Sequence, residues 1–357
     1  MKKRFLLRIL AVFCVMALTM LVFRRIFPEG EMLPAMQQLD PGLEIRQYDF
    51  LTSIFNTDCR LSLFGTRQQV HQGYRRLSEE LFRLHNALNR FDEKSELSRF
   101  NALPAASTFQ CSEELWNAFM VAREAFEETD GAFDVTIGPL MDFWRKNPNS
   151  SPEEINGELT ELLTCVGMDK LLFDDEAHTI TKKVNGVKVD FGGLAKGLAL
   201  DMAKACLLEN SVANCYLDFG GNIYQALPDD HPNRDKCAIA DMRDADQTAP
   251  RVMLNGTAGK FIATSANIYR AISKDSERPI GHIMDPVTGR PAQSQMISAT
   301  AVADTGWRSD AFSTAVFAKG LALAKKISTN NPNCAFLIAS VADEQLLLVG
   351  NAITIEE

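Results

Sequence analysis

The residues best suited to chemistry lie in a glycine- and lysine-containing turn, Asp-Phe-Gly-Gly-Leu-Ala-Lys-Gly at residues 190–197. Valines alternate with polar residues just before it, which predicts a strand over residues 184–190 that delivers Asp190 into the turn. Gly193 has no Cβ, so its backbone can approach an oxyanion or a metal closely. The helix predicted to follow adds its positive N-terminal end, and Lys196 adds a full charge. The pattern indicates a phosphate site, with an ordinary strand-to-helix turn as the alternative.

A second candidate opens the helix predicted at about residues 308–328, where Asp310 and Thr314 are one turn apart. This spacing places both side chains on the same helix face. A carboxylate and a hydroxyl are hard oxygen ligands that suit Mg²⁺, which typically keeps water and substrate phosphate at its other positions. The alternative is a helix-capping aspartate with an incidental threonine.

The chain has 357 residues, 46% of them hydrophobic, and a formal net charge of −9 with a pI near 5.2. This composition predicts a folded chain and excludes a protein whose main partner is nucleic acid, because neutralising a row of phosphates requires clustered Lys and Arg. Seven cysteines lie outside the N-terminal segment without a C-x-x-C pair. We therefore expect buried thiols rather than a zinc site.

The N-terminus combines basic residues with an apolar stretch over residues 9–23, followed by Arg24 and Arg25. No small-x-small cleavage site ends the stretch, which favours an uncleaved signal anchor over residues 1–27. The excess of Lys and Arg before the stretch predicts a single-pass protein of the inner membrane whose body lies on the periplasmic side. Prolines and glycines indicate a linker over residues 28–48, which leaves residues 49–357 as the main folded domain.

Apolar periodicity predicts an α+β fold with mixed sheets and long amphipathic helices, one intertwined body rather than two separate domains. Helices are predicted at residues 67–91, 113–129, 194–209 and 308–328. Besides residues 184–190, strands are predicted near residues 215–219, 237–242, 260–264, 297–303, 335–340 and 345–349.

Seven blocks in this order resemble the ApbE family of FAD:protein FMN transferases over about residues 50–350. The blocks are Ser-Glu-Leu-Ser-Arg-Phe-Asn (95–101), Gly-Ala-Phe-Asp (131–134) with Gly-Pro-Leu (138–140), the turn at 190–197, Gly-Gly-Asn (220–222), Thr-Ser (264–265), His-Ile-Met-Asp-Pro-Val-Thr-Gly (282–289) and Asp-Ala-Phe-Ser-Thr (310–314). The resemblance implies an ApbE-like fold and a Mg²⁺-dependent transfer of the FMN half of FAD to a Thr or Ser hydroxyl of a target protein, releasing AMP.

The resemblance also implies site residues. The metal is expected on Asp310, Thr314 and the backbone carbonyl of Gly193. The positions expected to contact FAD are Phe55, Phe91, Ala132, Phe133, Asp134, Asp190, Lys196 and Met284. At Phe55 and Phe91 the family commonly has Met and Tyr, so the stacking surface is kept while a tyrosine hydroxyl is lost.

The acceptor hydroxyl requires a base, and His282 is the expected one because its free pKa lies near working pH. Asp285 is expected to orient His282 or to act in its place, and a loop-stabilising hydrogen bond is the alternative role for the histidine. The chain contains no Ser/Thr-Gly-Ala-Ser/Thr acceptor motif, so the acceptor is expected to be another protein, such as a subunit of a membrane redox complex. Two other functions remain open: an FAD pyrophosphatase giving FMN and AMP, and a non-catalytic, membrane-tethered FAD-binding protein.

Overall fold

The structure, a computed structural model, describes residues 44–147, 155–240, 251–266, 281–292, 295–340 and 346–356. The predicted anchor at residues 1–27 and most of the predicted linker lie outside these ranges. The first strand begins at Arg46, three residues before the predicted start of the domain. Across the described ranges, no helix is both long and apolar enough to cross a membrane.

The described residues contain eight α-helices. They are α1 Arg67–Leu88, α2 Glu96–Asn101, α3 Glu113–Glu128, α4 Gly138–Lys146, α5 Asn156–Leu163, α6 Ala195–Glu209, α7 Gly306–Lys319 and α8 Leu321–Asn330. A short 3-10 turn covers Met168–Lys170.

The strands form one large and two small sheets. They are β1 Arg46–Ile54, β2 Thr57–Gly65, β3 Thr108–Gln110, β4 Leu171–Asp174, β5 Thr179–Lys182, β6 Asn214–Phe219, β7 Asn222–Ala226, β8 Lys236–Ala240, β9 Arg251–Asn255, β10 Phe261–Ala266, β11 Met296–Ala303, β12 Ala335–Ser340, β13 Leu347–Val349 and β14 Thr354–Glu356. The large sheet has the order β1-β2-β6-β7-β10-β11-β12-β13, and all its described pairings are antiparallel. The small sheets are β14-β9-β8 and β3-β5-β4.

The two faces of the large sheet are buried against different partners. On β10, Phe261 belongs to the main hydrophobic core, which includes α1, α3, α6 and α7, while Ile262 belongs to a second core with residues of β8 and β9. This division follows from the period-2 alternation of side chains along a strand. The prediction of a fold that mixes helices and strands is confirmed, but the predicted mixed sheets are wrong, because every pairing between the described strands is antiparallel.

Helix α1 shows how local sequence produces the layers. Thr66 caps its first turn, and Gln69 closes a capping box by accepting from the Thr66 backbone N–H. Its apolar stripe, which includes Leu77 and Leu84, is buried in the main core. The helix ends at Leu88, three residues before the predicted end, so Phe91 lies in the following turn.

Two predicted elements are wrong. Residues 184–186 form a bend and a turn, and residues 187–190 make one isolated bridge, Lys188 to Ile137, rather than a strand. The segment is held by side chains and loops instead of a ladder. The helix predicted at residues 308–328 is two helices, α7 and α8, separated at Gly320, whose φ of 91° belongs to the left-handed region that glycine adopts without strain.

Candidate functional site

Two hairpin turns lie together at one end of the large sheet, which we call the site edge. Phe55 and Asn56 link β1 to β2 with φ of 51° and 56°, an uncommon conformation for phenylalanine. The Gly220–Gly221 pair links β6 to β7 in the same left-handed region. A Cβ built on Gly220 would stand 2.0 Å from Thr57 Oγ1, so only glycine permits this approach between the two turns. The site edge therefore carries Phe55 on a strained tip, a condition often found at functional sites.

Helices α6 and α7 begin against each other and cap each other. The Asp310 Oδ2 of α7 accepts from Gly197 N–H in the first turn of α6, at 3.0 Å. Asp201 of α6 accepts in turn from the N–H groups of Gly306 and Trp307 at the start of α7, at 2.7 and 2.9 Å. Such N–H groups have no partner within their own helix and carry the positive end of its dipole. The two helices therefore run past each other in opposite directions, so that α6 begins beside the second turn of α7 and α7 begins beside Asp201.

Lys196 and Asp310 form an ion pair at this junction. The Lys196 Nζ lies 3.3 Å from Asp310 Oδ1, and the side chains are 12% and 5% exposed. A cation held beside a buried carboxylate at the start of a helix is suited to binding a phosphate ester. The structure therefore brings the lysine of the first motif to the aspartate of the second, 114 residues apart.

Gly193 and Thr314 also meet here. A Cβ on Gly193 would stand 3.1 Å from Thr314 Oγ1 and 3.1 Å from the Phe133 ring. Ser265, at the site-edge end of β10, lies 3.2 Å from Thr314 Oγ1. A buried carboxylate, hydroxyls and a backbone brought close by the absence of a side chain are oxygen donors that fit Mg²⁺. The residues present therefore fit the predicted metal set, and Thr314 Oγ1 donates to the Asp310 carbonyl in the structure.

Asp190 is held by an ion-pair network that the sequence did not reveal. Arg90 bridges Asp190 and Asp142, with both of its terminal nitrogens engaged, and Lys188 binds the second oxygen of Asp142 at 2.6 Å. Asp190 Oδ1 also accepts from Gly192 N–H at 2.8 Å, which fixes the turn. The carboxylate of Asp190 is thus committed to the arginine and to the turn, and its predicted contact with FAD stays a prediction.

Phe91 lies beside this network with an exposed ring. Its side chain is 61% exposed, and the guanidinium carbons of Arg145 and Arg90 lie 4.8 and 5.8 Å from the ring centroid. The ring of Phe55 packs against the ring of His85, with ring centroids 5.2 Å apart. The Phe55 N–H donates to His85 Nδ1, and burial lowers the pKa of that histidine. Phe91 is therefore the more open of the two predicted stacking residues.

Residues 132–134 lie beside the glycine- and lysine-containing turn at residues 190–197. Ala132 and Phe133 are buried, and the Phe133 ring faces Gly193. The Asp134 carboxylate accepts from both the N–H and the hydroxyl of Thr136, and burial raises its pKa to about 6. Asp134 thus stabilises its own loop, while Phe133 shapes the wall beside the metal set.

The loop with His282 is anchored at both ends. Met284 is buried against α4 and α5, and Trp144 Nε1 donates to the Gly289 carbonyl at 2.8 Å. Asp285 Oδ1 accepts from Lys319 at the C-terminal end of α7 and from the Val287 N–H. Between described residues, no hydrogen bond or ion pair joins Met284 or Asp285 to the Lys196–Asp310 pair. The half-buried His282 is carried on this loop.

Sequence reasoning missed several residues at the site. Arg90 and Asp142 were missed because their partners are distant in sequence, and Asp201 was missed because it lies inside a helix. The nearest signal in the sequence was the block at residues 95–101, which begins five residues after Arg90. A surface cavity of about 470 Å³ lies elsewhere, lined by residues of β3, β4 and β5 and their connections, none of them a predicted site residue.

The described architecture is that of a mixed α/β protein whose oxygen donors and cation converge where α6 begins beside α7. Its fold matches the flavin transferase ApbE from Vibrio cholerae with a TM-score of 0.73 and 22% identity, over 87% of this chain and 98% of that one. An ApbE protein from Thermotoga maritima gives a TM-score of 0.73 and 26% identity, over 85% and 97%.

The ApbE family profile matches residues 55–338, and the chain belongs to the ApbE family. The FAD:protein FMN transferase of Haemophilus influenzae is 27% identical over 282 residues, 78% of this chain and 80% of the relative. That of Vibrio cholerae is 28% identical over 253 residues, 69% and 72%. The recognition of the family from seven sequence blocks is confirmed.

Proposed function

We propose that the chain is an FAD:protein FMN transferase that requires Mg²⁺ and modifies a Thr or Ser hydroxyl of another protein. The convergence of Lys196, Asp310, Thr314 and Gly193 where α6 begins beside α7 carries the proposal. The names of its relatives, FAD:protein FMN transferases, support the reaction class. The acceptor is a protein with a Ser/Thr-Gly-Ala-Ser/Thr type of motif.

In the proposed step, the acceptor hydroxyl oxygen attacks the phosphorus that carries the riboflavin. A new P–O bond forms to the acceptor, the bond from that phosphorus to the bridging oxygen breaks, and AMP leaves with the bridging oxygen. The hydroxyl proton passes to a base. Lys196 and the start of α6 stabilise negative charge that develops on the phosphates. Mg²⁺, held by Asp310, Thr314 and the Gly193 carbonyl, would act as a Lewis acid on a phosphate oxygen.

His282 is the proposed base, because imidazole is the side chain best suited to accept a proton near neutral pH and this histidine lies in a recognised block. The contacts of Asp285 favour a positioning role for that residue. Its carboxylate is engaged by Lys319 and the Val287 N–H, which fixes the loop that carries His282.

The N-terminal segment is proposed to anchor the chain in the inner membrane with its body on the periplasmic side. The support is the sequence pattern of residues 1–27. A membrane redox complex would then be a fitting source of the acceptor, since enzyme and acceptor would share a membrane. Protease accessibility of the body in spheroplasts tests this orientation: protection by an intact inner membrane would contradict it.

The reaction itself is tested by incubating the protein with FAD, Mg²⁺ and an acceptor domain that carries the motif. Mass spectrometry should show addition of FMN to the acceptor, together with release of AMP. An acceptor whose motif hydroxyl is replaced by alanine is the control. Free FMN and AMP without an adduct would instead make the chain an FAD pyrophosphatase, and intact FAD would leave it a binding protein.

A further inference from the structure

Asn222 carries a buried side-chain amide that the site described so far does not use. The residue is the first of β7, directly after the Gly220–Gly221 turn, and is 2% exposed. Its Nδ2 is buried and has no hydrogen-bond partner within the part of the chain that the structure describes. Buried side-chain polar groups almost always have partners, so an unpartnered one calls for a functional or ligand-based explanation.

The surroundings of Asn222 make the unpartnered amide more unusual. Strand registers place it in a row of opposed residues across the helix-covered face of the sheet. The row is Cys59, Phe219, Asn222, Ala263, Ala301 and Phe336. All six residues are buried, and Asn222 alone carries an amide. An apolar side chain would fill this position without leaving a donor unsatisfied, so packing alone does not account for an asparagine.

The strands that carry this row of residues also carry residues of the candidate site. Lys204 of α6 lies over the rings of Tyr224 and Phe261, at 5.1 and 5.2 Å, which shows that these two opposed residues face α6. Asn222 lies two residues before Tyr224 on β7, and Ala263 lies two residues after Phe261 on β10. Side chains two residues apart on a strand share a face, so Asn222 and Ala263 also face the helices, nearer to the site edge. One further step on β10 reaches Ser265, which contacts Thr314.

A second observation places the Lys196 charge near this row. The positive charge of Lys196 acts to lower the pKa of the Cys59 thiol, although burial outweighs it and raises that pKa to about 12. Cys59 is opposed to Phe219, which is opposed to Asn222. The unpartnered amide therefore lies in a row that has Cys59 toward one side and β10, which carries Ser265, toward the other.

We propose that Asn222 Nδ2 donates a hydrogen bond to a pyrophosphate oxygen of bound FAD. This inference rests on the proposed function, which supplies the pyrophosphate. A neutral donor suits this position because Lys196 and the proposed Mg²⁺ already supply the cations, and an amide adds a donor without competing for Asp310. The chemical class of ligand is a diphosphate diester.

Two substitutions separate binding from packing. Asn222→Leu keeps the shape of the side chain and removes both the donor and its unsatisfied state, so the melting temperature should hold or rise. Asn222→Asp replaces the donor with an acceptor that repels phosphate. Asn214→Leu is the matched control, because its Nδ2 is partnered to the Ala226 carbonyl in the same sheet at 3.3 Å.

The full chain is titrated with FAD, ADP and riboflavin, with flavin fluorescence or calorimetry as the readout. Asn222→Leu should weaken FAD and ADP by about 10- to 100-fold and leave riboflavin unchanged, and Asn222→Asp should weaken them further. Asn214→Leu should lower the melting temperature and leave all three affinities alone.

Unchanged FAD affinity in Asn222→Leu, or equal losses for FAD and riboflavin, would overturn the role of Asn222. A wild-type chain that binds FAD and transfers nothing would instead overturn the proposed transferase, while the affinities still judge Asn222. A wild-type chain that binds neither FAD nor ADP would reject both.

Discussion

Asp310 and Asp201 use the same contact for different ends. Each lies on one helix of the α6–α7 pair and accepts from N–H groups in the first turn of the other helix. Asp201 gives one oxygen to each of two N–H groups and so joins the helices. Asp310 gives one oxygen to Gly197 N–H and faces Lys196 with its other oxygen, beside Thr314. The comparison shows that Asp310 makes the same kind of contact between helices as Asp201 but keeps one carboxylate oxygen directed at a cation, Lys196.

The largest expected effect separates the two carboxylates by activity. Asp310→Ala should lower FMN transfer by at least about 1,000-fold, because it removes the charged metal ligand and the partner of Lys196. Circular dichroism should show a folded protein, since the contacts of Asp201 between the helices remain. Asp201→Ala is the matched variant and should lower the melting temperature while the folded fraction keeps most of its activity. Transfer that survives in Asp310→Ala would contradict the metal assignment.

The next prediction tests whether the contacts of Asp310 and Asp201 both depend on the close approach of Gly197 to Gly306. A Cβ on Gly197 would stand 2.3 Å from the Gly306 carbonyl oxygen, so Gly197→Ala must separate the helix starts. We expect a loss of about 3 kcal/mol in the free energy of unfolding. Gly157→Ala in α5 is the control, because its Cβ would meet no atom within 4 Å, and it should be neutral or slightly stabilising. Urea denaturation measures both, and equal values would refute the close approach.

A smaller effect uses pH to isolate Asp201. Burial is the main cause that raises its pKa to about 6 from an ordinary value of 3.8, against the opposing effect of the two N–H groups. The folded state therefore holds this proton more tightly than the unfolded state. The resulting stabilisation is complete below pH about 4 and is lost as pH rises through about 6.

In Asp201→Asn that titration is absent, so the fall in unfolding free energy between pH 4 and 6 should be smaller by roughly 2 kcal/mol. Asp134, whose pKa burial also raises to about 6, leaves part of the fall in place. Urea denaturation at a series of pH values checks the slope. An unchanged slope would mean that Asp201 titrates alike in the folded and unfolded states.

The smallest expected effect compares two arginines that each lie over a phenylalanine ring. One ring belongs to Phe91, a predicted FAD-binding residue, and the other belongs to Phe173, which is not one. Arg145 lies over the exposed ring of Phe91, and Arg123 lies over Phe173 at 5.5 Å while pairing with Asp175. Arg145→Ala should weaken FAD binding by a few-fold, in keeping with an exposed cation–π contact. Arg123→Ala should leave it unchanged, and fluorescence titration compares the two. An equal effect of both variants would remove Phe91 and Arg145 from the FAD surface.

Periodicity and motif spacing predicted the long elements well. Helices α1, α3 and α6 and strands β6, β11 and β12 lie within a few residues of their predicted bounds, because each presents one regular apolar face to a core. The extended segment before Asp190 was predicted as a strand because its valines alternate. Asn101 instead bonds to both the N–H and the carbonyl of Val189, so a side chain replaces the neighbouring strand.

At the site, the motifs predicted that Lys196 and Asp310 carry chemistry, and the fold brings them into contact. Arg90 could not be predicted in the same way, since its partner Asp190 is 100 residues away and neither residue belongs to a local pattern with the other. Asn222 lay in a recognised Gly-Gly-Asn block, but its unpartnered amide emerges only from strand register. Contacts between distant segments are the part that periodicity does not encode.

The cysteines give the folded chain a built-in chemical reporter. Six of the seven in the described residues are buried and none forms a disulfide there, and burial raises the pKa of the thiols of Cys59 and Cys215 to about 12. Protonated, buried thiols react slowly with maleimides. Cys165 is the partly exposed exception. Pulsed alkylation read by mass spectrometry would therefore label Cys165 early and the others only as the surrounding cores open, which resolves unfolding region by region without an added probe.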